Sequence, residues 1–262
     1  MSRFRLDLEY EGTRYAGWQI QKNARTVQGA LSDAVVAVCK TQRFDLGGAG
    51  RTDAGVHAMC QTAHLGIETR LPAALLKNKL NDELPADINI LRIRPAPPAF
   101  HARHDALART YLYQIARRRT AFGKRFVWWI KDTLNAARMQ EAARLFVGSH
   151  DFRSFCAVRD DEKETRVSLT RCDVEENGDL LLVRLEASHF LWKMVRQMVG
   201  TLVEVGRGKL QPADVQRFLT SPSDVPARLT APPSGLFLAG ATYAGSTPAV
   251  EPLLRLPGHG RG

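Results

Sequence analysis

A single carboxylate, Asp53, and a single cation, Arg51, share one loop with four glycines: Gly47-Gly48-Ala49-Gly50-Arg51-Thr52-Asp53-Ala54-Gly55-Val56-His57-Ala58. Glycine reaches positive φ without steric cost, so a backbone of this kind carries Arg51 and Asp53 out of a packed scaffold. A carboxylate held there is suited to act as a nucleophile or a base. A phosphate-cradling loop would need Lys and then Ser or Thr after its last glycine, where Val56 and His57 stand instead. A dinucleotide loop starting at Gly48 would need a third glycine where Asp53 lies, and a carboxylate there repels pyrophosphate. Spacing alone fits a glycine-rich hairpin, with Asp53 bonding its own backbone, equally well.

Two further side chains stand out. Tyr111 lies in Arg109-Thr110-Tyr111-Leu112-Tyr113, where a strand would put Tyr111, Tyr113 and Ile115 on one face, and pattern alone favours a core aromatic row. Arg196 stands on a helix beside the apolar stripe Met194, Val195, Met198, Val199 and Leu202. It either snorkels to water or pairs with a carboxylate. Gly200, inside that helix, costs stability relative to Ala and points to a close backbone approach. His101 and His104 have no carboxylate or cysteine in a recognised zinc pattern beside them, so no metal is expected.

The scaffold is read from hydrophobic periodicity. Residues 3–10 alternate, with Phe4, Leu6, Leu8 and Tyr10 on one face and Arg3, Arg5, Asp7 and Glu9 on the other, as a half-buried strand does. A glycine, aromatic and basic loop over 12–22 either contacts RNA or is anchored on the core. Thr26 caps a helix carrying Val27, Leu31, Val35 and Val38, which ends near Lys40. Strands over 43–46 and 58–67 flank the glycine loop. A helix from Pro72, using Leu75, Leu76 and Leu80, precedes a strand over 88–94.

The second half begins with a strand over 108–117 and a basic, aromatic segment to Lys131. A helix over 134–147, strands over 166–175 and 180–187 joined at Asn177-Gly178, a helix over 191–205, a short helix after Pro212 and a strand over 236–243 follow. His150-Asp151-Phe152 reads as a capping turn that inserts Phe152 in the core. The expected class is α/β (α+β): two ferredoxin-like βαββαβ halves, 1–104 and 105–245, forming a largely antiparallel sheet with helices on one side and a basic RNA-binding cleft. The residues 246–262 are rich in Pro, Gly and Arg and are expected to be a disordered tail.

Composition narrows the partners. The 262 residues are 44% hydrophobic, enough for one large core or two modest ones, and 37 Lys and Arg against 27 Asp and Glu give a charge of +10. That charge favours a polyanion, with nucleic acid ahead of an acidic membrane surface. Cys39, Cys60, Cys156 and Cys172 form no Cys-x-x-Cys pair, the N-terminus lacks a signal-like apolar run and no stretch is long enough to span a membrane, so a cytoplasmic protein is expected.

The nine residues Gly50 to Ala58 resemble the active-site motif of the tRNA pseudouridine synthase A family. Further segments resemble that family in order: Tyr10-Glu11-Gly12, Gly17-Trp18-Gln19, Phe100-His101-Ala102-Arg103, Thr110-Tyr111-Leu112-Tyr113, His150-Asp151-Phe152, Met194-Val195-Arg196 and Ala231-Pro232-Pro233-Ser234-Gly235-Leu236. The resemblance implies that Asp53 is the catalytic aspartate, Tyr111 the ring that stacks on the target uracil, and Arg196 the arginine that pairs with the aspartate. Arg51 would help displace the base, Leu236 would line its pocket, and Arg103 would contact RNA.

The implied activity isomerises uridines 38, 39 and 40 of tRNA, without cofactor or metal, in a homodimer in which each tRNA bridges both subunits. The aspartate either attacks C1′ or removes the C2′ proton to give a glycal. Rival readings are a non-catalytic RNA-binding protein or tRNA folding factor, a metal-dependent nuclease or deaminase, and a related synthase with another RNA target. Asp53 argues against the first, since a carboxylate in a basic groove repels phosphate. The second lacks a ligand cluster.

Overall fold

A computed structural model describes residues 1–157 and 164–245; the tail expected over 246–262 lies outside the described residues. The chain divides into two compact units, the first comprising residues 1–107 with 237–245, the second residues 108–236.

In the first unit the order is β1 (Ser2–Tyr10), α1 (Val27–Cys39), β2 (Phe44–Gly48), β3 (His57–Ile67), α2 (Ala73–Glu83) and β4 (Ile88–Pro95). The strands pair antiparallel as β4-β1-β3-β2. Phe4, Leu6, Leu8 and Tyr10 are buried, as the alternation of β1 requires. On the other face Asp7 is also buried, because it accepts from Arg5 Nε at 3.1 Å, Arg94 at 2.8 Å and Thr62 Oγ1 at 3.1 Å. The Thr26 hydroxyl caps α1 by accepting from Gly29 N–H at 3.1 Å. Leu75, expected on the buried stripe of α2, is exposed, and Leu76 and Leu80 carry the packing.

The second unit contains β5 (Ala108–Ala116), β6 (Trp128–Trp129), α3 (Ala136–Arg144), β7 (Gly148–Asp151), β8 (Arg166–Asn177), β9 (Leu180–Ala187), α4 (Met194–Gly206), α5 (Pro212–Thr220) and α6 (Val225–Arg228). Strands β5, β9, β8 and β7 pair antiparallel in that order, and β6 lies parallel to β5. The hairpin β8-β9 turns at Gly178, whose φ of 57° suits the expected Asn177-Gly178 turn.

Two local expectations change. His150 and Asp151 belong to a short strand, β7, which pairs His150 with Val167 instead of merely turning the chain, although Phe152 is fully buried as anticipated. The helix α4 starts at Met194 because Lys193 takes a left-handed φ of 61°.

The last strand, β10 (Leu236–Thr242), crosses from one unit to the other in sequence, and from Phe237 it is counted with the first. It runs parallel to β3, with Phe237 opposite His57 and Leu238 opposite Ala58. The class is therefore mixed α/β with mostly antiparallel pairing, as the order of elements implied.

Candidate active site

Asp53 and Arg51 occupy the connection between β2 and β3, with Arg51 exposed and Asp53 partly so. The connection is a fixed object. Its entrance is held by Ala49 N–H to Thr62 O at 2.7 Å and by Gln61 Nε2 to Gly50 O at 2.8 Å. Beside Asp53, the buried Thr52 hydroxyl bonds Tyr10 Oη at 2.9 Å, and its carbonyl accepts from Trp18 N–H at 3.1 Å. Val56 N–H closes a tight turn onto Asp53 O at 3.1 Å, and Gly55 N–H reaches Tyr15 O at 3.2 Å. These bonds fix the backbone on both sides of the carboxylate, which is what directed chemistry requires.

The glycines serve this loop differently from expectation. Only Gly55, at φ 78°, takes the left-handed conformation; Gly47 and Gly48 lie in β2. A Cβ at Gly47 would stand 2.6 Å from the His64 ring and one at Gly48 2.7 Å from the Trp18 indole, so these positions admit rings rather than unusual dihedrals.

The 12–22 loop proves to be an anchor through its aromatic residues, while Arg14 and Lys22 remain exposed. Trp18 is 1% exposed, and Gly12 and Gly17 would place a Cβ 1.9 Å from Val56 O and 2.4 Å from Thr52 O. Gly12 N–H also donates to His57 Nδ1 at 3.0 Å, which assigns that nitrogen as the acceptor, while the ring stacks on Phe237 at 4.8 Å. Tyr15 donates to Asp87 and lies under Arg25, whose guanidinium sits 4.6 Å from the ring centroid. Burial, with the Asp87 carboxylate adding to it, pushes the Tyr15 hydroxyl up to about 12, so it remains a donor across the physiological range.

Arg103 is exposed on a turn of the same unit. Ala102 fixes that turn by donating to His64 Nδ1 at 3.1 Å and accepting from Tyr243 Oη at 2.6 Å. Burial pulls the His64 imidazole below its usual range, so it is neutral at pH 7 and free to accept there.

In the second unit Tyr111 sits on β5 opposite Leu185, its ring edge-on to Phe190 at 5.1 Å and 83°. It is buried, as is Tyr113, so the expected aromatic row exists, and Tyr111 meets Phe190 within it. Arg196 is in the first turn of α4 and neither snorkels freely nor floats: its Nε donates to Ala231 O at 2.7 Å while its own carbonyl accepts from Ala231 N–H at 3.0 Å. Tyr113 Oη donates to the next carbonyl, Pro232 O, at 2.8 Å. Burial drives the Tyr113 hydroxyl well above its usual range, with the Arg196 charge opposing. The segment from Ala231 to the buried Leu236 is thus pinned by both side chains.

Within the units, then, Arg51 shares the loop of Asp53, and Arg196 is joined to the segment that ends at Leu236. Sequence patterning missed the supports. Thr52, Tyr10, Trp18 and Phe190 gave only a generic apolar or turn signal, since their partners are 42 residues away for Tyr10 and Thr52 and as distant for Phe190 as strand β5.

A family described as tRNA pseudouridine synthase matches residues 8–105 and 142–244. The tRNA pseudouridine synthase A of Brucella ovis is 40% identical over 249 residues, covering 93% of this chain and 99% of that protein. The enzyme of the same name from Brucella canis gives the same figures. A chain of a solved Cbf5-Nop10-Gar1 complex overlays 77% of this chain, and 54% of its own length, at a TM-score of 0.31 and 10% identity, a likeness too slight to carry weight. On the family match and the relatives together, the chain belongs to the tRNA pseudouridine synthase family and is an isomerase acting on RNA.

Proposed function

We propose that this enzyme isomerises uridines 38, 39 and 40 in the anticodon stem-loop of tRNA, with Asp53 as the catalytic carboxylate. The reaction breaks the N1–C1′ bond, turns the detached uracil and joins C5 to C1′. The proton lost from C5 is balanced by one gained at N1, so no donor or oxidant is consumed. The observation that carries the reading is the clamped turn at Asp53, within a chain 40% identical along 93% of its length to proteins named for this reaction.

In this reading the carboxylate either attacks C1′ or takes the C2′ proton, and both routes need it fixed in place. Arg196 keeps it charged and aimed. Tyr111 stacks on the free uracil while it turns, and its hydroxyl helps move the C5 proton. Arg51 fills the gap left by the extruded base, whose unstacking costs a few kcal/mol. Leu236 is a wall of the base pocket and Arg103 an RNA contact. The enzyme acts in the cytoplasm, and a homodimer lets each tRNA bridge both subunits. RNA shape and backbone, more than base sequence, are recognised, in keeping with the +10 charge.

The direct test is pseudouridine mapping on unmodified tRNA transcripts incubated with the enzyme alone in a chelating buffer. New pseudouridine confined to positions 38–40 is expected; modification elsewhere would replace the substrate assignment, and none at all would remove it. For Tyr111, the Phe variant keeps the ring and its contact with Phe190. It should bind tRNA as well as wild type and lose ~10²–10⁴ in kcat, the usual worth of a general acid or base. Near-normal turnover would reduce Tyr111 to a stacking platform.

A further inference from the structure

From the end of β5 through β6 runs a segment that the reaction above does not use. Residues 117–131 read Arg-Arg-Arg-Thr-Ala-Phe-Gly-Lys-Arg-Phe-Val-Trp-Trp-Ile-Lys, with six cations, four aromatic rings and no acid. It is an ordered arm. At its base Ile130 N–H donates to Ala116 O at 3.0 Å, Gln114 Nε2 to Phe126 O at 2.8 Å and Ser234 Oγ to Val127 O at 3.3 Å, while Val127 and Ile130 are buried. Towards the tip, Thr120 Oγ1 both accepts from Phe122 N–H, at 3.1 Å, and donates to Phe122 O, at 2.9 Å. Gly123 then turns the chain at φ 66°.

The product of that framework is an apolar ring held in water. Phe122 is 80% exposed, and Trp129 is 42% exposed with the Arg119 guanidinium 5.8 Å from its centroid. Folding gains nothing from presenting Phe122 this way, while a rigid ring loses little entropy on binding. Arg119 and Lys124 are exposed beside it. On the adjoining β8-β9 turn, Glu176 is engaged with Arg117 at 3.0 Å and Asp179 with Arg118 at 2.5 Å. Exposed rings interleaved with cations are the pattern by which proteins hold unpaired nucleotides, each base stacking on a ring while its phosphates meet the charges.

We propose that this arm is a second RNA contact, in which Phe122 stacks on an unpaired base of the tRNA and Arg119 and Lys124 engage the flanking phosphates. It rests on the reading of Tyr111 as the platform for the target uracil. Ala116, where the arm leaves β5, is five residues of extended strand from Tyr111, about 17 Å. In this proposal the nucleotide held by Phe122 is a different one from the uridine being isomerised, and the arm sets affinity and register rather than chemistry.

The test measures tRNA affinity across a salt series, together with kcat at saturating tRNA and the sedimentation of the free protein, for wild type, Phe122→Ala, Phe122→Trp and Lys124→Gln. Phe122→Ala should weaken binding about tenfold with an unchanged salt slope and unchanged kcat, and Phe122→Trp should restore it. Lys124→Gln should lower the slope by about one counterion. Wild-type affinity in Phe122→Ala would overturn the proposal, as would a change in that variant's sedimentation without a change in affinity, which would make the arm a protein-binding surface. If affinity depends on Phe122 while the wild type modifies no uridine, the arm stands and the reading of Tyr111 falls.

Discussion

Asp53→Asn should abolish pseudouridine formation while leaving the fold and tRNA binding intact. The substitution is nearly isosteric, and it leaves in place the bonds that tie the loop through its backbone and neighbours: Val56 N–H to the backbone carbonyl of Asp53, with further ties at Thr52, Gly50 and Gly55. A partly exposed position of this kind changes stability by about 0.5 kcal/mol or less. Asparagine can neither attack C1′ nor accept the C2′ proton, so both routes close together. Loss of such a group costs on the order of 10⁴-fold or more in kcat. Tritium released from C5-labelled uridine in tRNA reports turnover, because C5 must lose its hydrogen, and filter binding reports affinity in parallel. Affinity within about threefold of wild type is expected, tighter if anything, since a negative charge facing phosphates has been removed. Turnover near wild type would take Asp53 out of the mechanism.

Much of the scaffold behind that residue is legible in local pattern. Strict alternation along β1, the Thr26 cap and the Asn177-Gly178 turn each specify their element from a few adjacent residues, and the structure follows them. The failures have a common physical origin. A strand of four residues, β7, is too short to show a period, and Lys193 gives no hint that it will adopt φ 61° and delay α4 by three residues. Gly47 and Gly48 look like positive-φ positions until His64 and Trp18 are seen to fill the space above them. Asp7 looks solvated until Arg94 and Thr62 arrive from neighbouring strands. The motif around Asp53 stands out in the sequence because its glycines, cation and carboxylate are contiguous. Its supports at Tyr10, Tyr15 and Trp18 do not, because each acts through a partner remote in sequence.

Gly200→Ala tests one such remote partnership, and its effect should be the largest among single-methyl changes in the second unit. Glycine inside α4 already costs about 1 kcal/mol relative to alanine in helix propensity, so on local grounds the substitution should stabilise the protein. The tertiary structure predicts the opposite. A Cβ at Gly200 would stand 1.6 Å from the carbonyl oxygen of Leu229, a backbone atom that no rotamer change can move. The 229–231 segment must then retreat from α4. That retreat breaks the reciprocal pair by which Arg196 holds Ala231, and it pulls on Pro232, to which Tyr113 is bonded. Overpacking of this severity costs about 3 kcal/mol, net of the propensity gain, and should lower the melting temperature by roughly 6–12 °C. Because Arg196 and the segment leading to Leu236 shift together, kcat on tRNA should fall well below what the surviving folded fraction accounts for. Calorimetry and turnover measured at a temperature where the variant is fully folded separate the two effects. A variant as stable and as active as wild type would mean that α4 does not depend on close contact with Leu229, and that Arg196 is positioned by something other than Ala231.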